Sequence, residues 1–165
     1  MPICKLSDLP DLMKTNSCLL GIDPGKKTIG VAIADPAGMV ASPLKNITRS
    51  KWTEVLTSLH EIVLTRNIGG IVMGLPKNMD GTEGSSAQSV RTFAANLRQG
   101  EAPLAELPIA FWDERLSTTA VTRILIEDDM SRQRRSEVID KTAAAYILQG
   151  ALDALAYMKR ERALP

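Results

Sequence analysis

An α/β fold on a mixed five-stranded sheet flanked by helices is predicted by three observations. The patterned region opens with three short β-rich runs separated by turns. Helical and strand periods then alternate, and the chain closes on one long helix with an apolar stripe. At roughly 150 residues per domain, the 165 residues make one domain. The expected division is an N-terminal arm over 1–17, the domain over 18–158 and a charged tail over 159–165.

The elements follow in order. Residues 1–17 show no sustained period. Cys18 to Asp23 is a short apolar run broken by Pro24-Gly25, a buried strand ending in a turn. Thr28 to Ala34 is β-rich and ends at the turn Asp35-Pro36-Ala37-Gly38. Met39 to Ile47 reads as a third strand, placed at an edge by Pro43. Ser50 can cap a helix over Lys51 to Arg66, stopped by Gly69-Gly70. Gly70 to Gly74 is apolar throughout, as in a strand covered on both faces. Ser85 and Gln88 have capping-box spacing for a helix reaching Arg98 or Gln99. Pro108 to Trp112 is the fifth strand, and a helix is expected from Ser117 to about Asp129. A basic loop (SRQRR) precedes the last helix, from about Ser136 to Tyr157. A meander followed by β-α-β crossovers, with an acid in the first strand, is the ribonuclease H-like arrangement.

Composition excludes several chemistries. Formal charge is 20 − 19 = +1, so a nucleic-acid partner must be met by a local patch. Cys4 and Cys18 form no C-x-x-C pair, which fits a reducing cytoplasm and argues against a zinc ribbon. No uncharged apolar run approaches the ~20 residues that span a bilayer, so no membrane partner is expected. The N-terminal residues carry acids and prolines instead of a basic stretch and an apolar one, unlike a secretory signal. The one histidine, His60, lies in a helical pattern with nothing nearby to complete a triad or a zinc site. Six aromatic residues are too few for an extended base-stacking platform.

Chemistry therefore falls to carboxylates and cations. Asp23 interrupts an apolar strand, where an unpaired charge costs several kcal/mol, so it belongs at the open end of the sheet or beside a cation. The plainer reading is a turn aspartate beside Pro-Gly. Gly25-Lys26-Lys27-Thr28 is no P-loop: Lys27 holds the hydroxyl position and a strand follows in place of a helix. Asp113-Glu114-Arg115 ends the fifth strand, where functional groups gather in open α/β sheets, and strand alternation lets only one of the two acids face a site. Alone, the trio reads more readily as a solvated turn. Asp140 continues the stripe of Ala143, Ile147 and Ala151, so it lies on the apolar side of the last helix. Three acids from strand one, strand five and the last helix, without Cys or His, suit Mg²⁺ or Mn²⁺.

With these residues on view, a resemblance becomes specific. Gly21-Ile22-Asp23-Pro24-Gly25 with Ile29-Gly30-Val31-Ala32 is its first motif, and Gly74-Leu75-Pro76 with Asn78, Asp80, Gly81 and Thr82 its second. Asp113-Glu114-Arg115-Leu116-Ser117-Thr118 is the third. Asp140-Lys141 with Ala143-Ala144 and Ile147-Leu148 completes the set. In this order the chain resembles the YqgF family of pre-16S rRNA nucleases, also described as Holliday-junction-resolvase-like, over roughly Leu19 to Leu155. The resemblance implies a phosphodiesterase site at Asp23, Glu114 and Asp140, which would hold two divalent ions. It departs at Thr28, where the family usually has a basic residue. Ala143 stands where more distant junction resolvases carry a fourth acid.

The expected activity is metal-dependent hydrolysis of structured RNA, namely pre-rRNA in ribosome biogenesis. Lys26, Lys27, Arg115, Arg132, Arg134, Arg135 and Lys141 would meet phosphates. Gly25, Gly74, Pro76 and Asn78 would shape the cleft. Cleavage of branched DNA and non-catalytic RNA binding are the alternatives. An actin-like ATPase shares the opening strand but needs a second domain, for which the chain is too short.

Overall fold

The computed structural model describes residues 3–116 and 132–164, with the backbone alone for 132–141. Its strands are β1 (Ile3–Cys4), β2 (Cys18–Pro24), β3 (Thr28–Ala34), β4 (Ala41–Thr48), β5 (Ile68–Leu75) and β6 (Ile109–Asp113). Its α-helices are α1 (Leu9–Leu12), α2 (Trp52–Thr65), α3 (Ser85–Arg98) and α4 (Arg132–Ala163). One mixed sheet runs in the order β1-β6-β5-β2-β3-β4. β2, β3 and β4 form an antiparallel meander, while β5 joins β2 and β6 joins β5 in parallel. The carboxyl ends of β2, β5 and β6 thus lie along one edge.

Each face of the sheet has its own core. Val55, Leu59, Ile62 and Val63 of α2 and Val90, Phe93 and Leu97 of α3 cover one face. Ala144, Ile147, Leu148, Ala151 and Leu152 of α4 cover the other, against Leu19, Ala32, Val72 and Trp112. β5 lies between the two layers, buried at every position, as its unbroken apolar run requires. The stripe of Ala143, Ile147 and Ala151 is buried as its spacing predicts.

Several expectations need correction. The sheet has a sixth strand: Ile3 and Cys4 pair in parallel with Ile109 and Ala110. Two residues carry no readable period, so sequence patterning missed them. The N-terminal segment is no loose arm, because Leu9 is 0% exposed beneath the α4 layer. Ser85 is the first residue of α3 and Gly84 caps it without a side-chain bond, so the capping box does not form. The basic run is helical from Arg132, not a loop. Cations oppose the dipole at a helix start, but Arg and Gln have high intrinsic helix propensity. The same propensity carries α4 through Lys159–Arg162 to Ala163, past the expected end at Tyr157. The helix predicted from Ser117 lies outside the described residues.

Candidate active site

Asp23 is the one charged side chain that is buried among the described residues, at 5% exposure. A Cβ on Gly21 would lie 2.8 Å from Leu148 Cβ and 3.1 Å from the Ala144 carbonyl oxygen, so Gly21 faces α4. The pleat sends Asp23, two residues on, to the same face. Ile22 is in register with Met73, which sets Asp23 beside Gly74 on the adjacent parallel strand. A carboxylate in this position needs a compensating cation or donor.

Glu114 reaches the same place from β6. The strand stops at Asp113, and residues 114–116 turn into a short 3-10 helix. Trp112 packs against α4, so alternation sends Asp113 to the opposite face and Glu114, two residues on, toward the α4 side. Asp113 Oδ2 accepts from Arg115 Nη2 at 2.6 Å, and Asp113 Oδ1 accepts the Arg115 backbone N–H at 3.0 Å. Glu114 Oε1 instead stands 2.8 Å from where a Cβ on Gly74 would be, with Ile147 Cδ1 2.5 Å from the same point. Gly74 is the gap that lets the Glu114 carboxylate settle over β5, next to Asp23. A glycine here serves close approach, not a special turn.

The third expected acid comes on α4. Asp140 lies one turn before Ala144, whose carbonyl oxygen touches the space above Gly21. The helix runs away from the site toward the far end of the sheet, where Gln149 Oε1 accepts the Ala41 N–H at 2.8 Å. The side chains of Arg132, Arg134, Arg135, Asp140 and Lys141 lie outside the described residues. The structure therefore brings Asp23 and Glu114 together and places the backbone of Asp140 on the helix that covers them.

Among the described residues, the surrounding cations divide into exposed and engaged ones. Lys26 and Lys27 are exposed on the β2–β3 hairpin, beside Gly25. Arg115 is engaged: besides Asp113, its Nη1 donates to the Met79 carbonyl at 3.3 Å. The hydrogen bonds from Arg115 hold the Asp113 carboxyl below the usual range. Asn78 is used inside its own loop, with its N–H donating to the Thr82 carbonyl at 2.8 Å and Nδ2 to Thr82 Oγ1 at 2.9 Å. The Thr82 hydroxyl and amide in turn hold the Asp80 carboxyl below its ordinary value. Pro76 is half-buried where β5 leaves the sheet.

Sequence reasoning did not single out Arg49. It donates from Nε to the Gly25 carbonyl at 2.6 Å and from its backbone N–H to the Lys27 carbonyl at 2.8 Å. Its guanidinium lies 5.4 Å from the Phe93 ring centroid. Among the described residues nothing accepts from its Nη atoms. An exposed Arg after a strand has no sequence signature. The Asp113–Arg115 bracket was legible only as an i, i+2 charge pair.

Residues 17–154 match the family described as RuvX: Holliday junction resolvase. The chain belongs to this family. A relative from Phenylobacterium zucineum, pre-16S rRNA nuclease by name, is 53% identical over 94% of this chain and 98% of its own length. One from Paramagnetospirillum magneticum, of the same name, is 52% identical over 93% of this chain and 96% of its own. Among solved structures, the yeast mitochondrial Holliday junction resolvase Ydc2 superposes with a TM-score of 0.51 at 14% identity, covering 93% of this chain and 87% of that one. At that identity the likeness is one of fold: the RuvX chain shares its α/β architecture with a resolvase. Asp23, Glu114 and Asp140 all fall inside the RuvX match. No helix among the described residues is long and apolar enough to cross a membrane.

Proposed function

We propose that this RuvX-family protein is a divalent-metal-dependent nuclease that hydrolyses phosphodiester bonds of structured RNA, processing the 5′ end of pre-16S rRNA in the cytoplasm. The observation that carries the reading is the meeting of Asp23 and Glu114 over the missing side chain of Gly74, with the Asp140 helix laid across them. Two buried or half-buried carboxylates brought this close repel unless a cation joins them. Their oxygens, with no Cys or His nearby, fit a hard ion such as Mg²⁺ or Mn²⁺. Asp23, Glu114 and Asp140 would hold it, as a pair of ions. When bound, such ions polarise the scissile phosphate and activate the attacking water.

The chain's own residues supply the rest. Asp23 presents its oxygens from the end of β2, and Glu114 from the turn that directly follows β6. Lys26, Lys27 and the cations at the start of α4, Arg132, Arg134, Arg135 and Lys141, would neutralise flanking phosphates. Gly25, Gly74, Pro76 and Asn78 keep the strand ends low and the mouth open. The family description favours a second reading, cleavage of four-way DNA junctions.

Incubation with Mn²⁺, a 5′ fragment of pre-16S rRNA and a four-way DNA junction separates these readings. Cutting of the RNA by the parent and not by Asp23→Asn supports the proposal. Cutting of the junction alone transfers the site to branched DNA. RNA bound but cut by neither protein would make this a binding protein and overturn the nuclease.

A further inference from the structure

The loop between β5 and α3 spends its polar groups on holding one apolar side chain out in water. Met79 is 91% exposed, at the tip of residues 76–84. Its neighbours are locked on both sides. Asn78 binds the Thr82 carbonyl and hydroxyl, and Gly81 N–H donates to the Asn78 carbonyl at 2.9 Å. Asp80 Oδ1 accepts the Thr82 N–H at 3.0 Å and its hydroxyl at 2.6 Å. Gly81, at φ +89°, makes the turn and lies under the Arg115 guanidinium.

The loop is also docked at both ends. Arg115 ties the carbonyl of Met79 itself to the Asp113 carboxylate, one residue from Glu114. Glu83 is held by Arg91 of α3 through two bonds, of 2.6 and 2.9 Å. Leu116, the residue after Arg115 in the chain, is 69% exposed. Most other strongly exposed apolar residues, such as Met39, Leu64 and Tyr157, lie on other elements. The turn that holds Glu114 and the loop docked to it through Arg115 thus carry two solvent-facing apolar side chains, and Met79 stands on a braced backbone.

We propose that Met79 is a specificity-determining residue: the docked loop sets its thioether side chain against an unstacked base step beside the scissile phosphate. The inference rests on the nuclease reading and names what that site selects. Phosphates are met by the cations, whereas an apolar side chain has nothing to offer a phosphate and finds its largest apolar surface on a nucleic acid in the base faces. Methionine is one of the side chains that wedge between base steps in kinked duplexes, and its flexible thioether adapts to any base. A uniform duplex keeps its steps stacked and charges the cost of opening one. A bulge or a branch point has already met that cost. The loop therefore favours irregular over regular helices.

The probes are a bulged RNA stem with 2-aminopurine beside the bulge and a uniform RNA duplex of the same length. Binding is read in an Asp23→Asn background with Mn²⁺, and cleavage in the parent background. Met79→Ala should lower the preference for bulged over uniform RNA about tenfold, within the range that base stacking provides. It should reduce the change in 2-aminopurine fluorescence and leave the salt dependence of binding unchanged, because no phosphate contact is lost. Met79→Leu should restore most of the preference. An unchanged preference, or a loss of equal size on both RNAs, would overturn the inference. A lowered preference in a protein whose parent cuts neither RNA would leave Met79 as the base contact and remove the nuclease reading instead.

Discussion

Gly74→Ala should damage the site far more than the fold. The new methyl would lie 2.5 Å from Ile147 Cδ1 and 2.8 Å from Glu114 Oε1. Ordinary contact for such atoms begins at about 3.5 Å, so each must retreat by about 0.7–1.0 Å. Both are the far ends of side chains, and none of the three nearest atoms is backbone. The stability cost should therefore stay near the lower end of overpacking, about 1 kcal/mol. For a chain of this size that is a fall in Tm of about 2–4 °C. The Glu114 carboxylate, however, is displaced by a distance that matters, since a misplacement of about 1 Å can cost ~100-fold in rate. The assay is a thermal melt with and without Mn²⁺, beside cleavage of the pre-16S rRNA fragment. The expected pattern is a small loss in Tm, a reduced stabilisation by Mn²⁺ and a rate lowered about 100-fold. Full activity in Gly74→Ala would refute the claim that Glu114 works from its place over β5. Unfolding would refute the claim that only side-chain ends stand in the way.

Other substitutions probe the supports of the site. Gly21→Ala meets the Ala144 carbonyl at 3.1 Å and Leu148 Cβ at 2.8 Å, which cannot rotate aside, so melts should show a loss of about 1–3 kcal/mol as α4 is pushed off the sheet. Arg115→Ala should destabilise the protein near neutral pH, and the difference should fade in acid. The Asp113 carboxyl is held below its ordinary value by the bonds from Arg115, so its contribution is present above the unfolded pKa and lost as pH falls through the folded one. Melts at pH 7 and at successive points below about pH 4 check the sign, and a difference that grows in acid would contradict it. If the Arg49 guanidinium, held by Gly25 and Phe93 on the hairpin of Lys26 and Lys27, meets one phosphate, Arg49→Ala should flatten the salt dependence of RNA binding by a slope of about one. An unchanged slope would make Arg49 a brace for the hairpin alone.

Strong periodicities carried over from sequence to structure, and weak local signals did not. The apolar run Gly70–Gly74, the TIGVAIA strand and the Ala143-Ile147-Ala151 stripe all lie where their spacing places them, because each reports a face that must leave water. The capping box at Ser85 and the basic loop before Asp140 both failed. A side-chain cap or a helix dipole contributes about 1 kcal/mol or less, which neighbouring contacts and intrinsic propensity readily outweigh. The two-residue strand at Ile3–Cys4 has no period to read, and it exists because β6 offers an open edge.

By itself the sequence determined the α/β class, the order of the central elements and the residue types available for chemistry: acids and cations, with one histidine and no thiol pair. Those follow from composition and from periods of two and 3.6 residues, which are local properties of the chain. Only the tertiary structure decided which acid of the Asp113-Glu114 pair faces Asp23: alternation separates the two, but the packing of Trp112 against α4 fixes that Glu114, two residues on, shares that face. It also decided that Gly74 is a seat for Glu114, that Arg115 braces a loop, and that Met79 stands in water on that braced loop. Each is a contact between residues far apart in the chain, set by strand register and helix approach, and no local pattern encodes it.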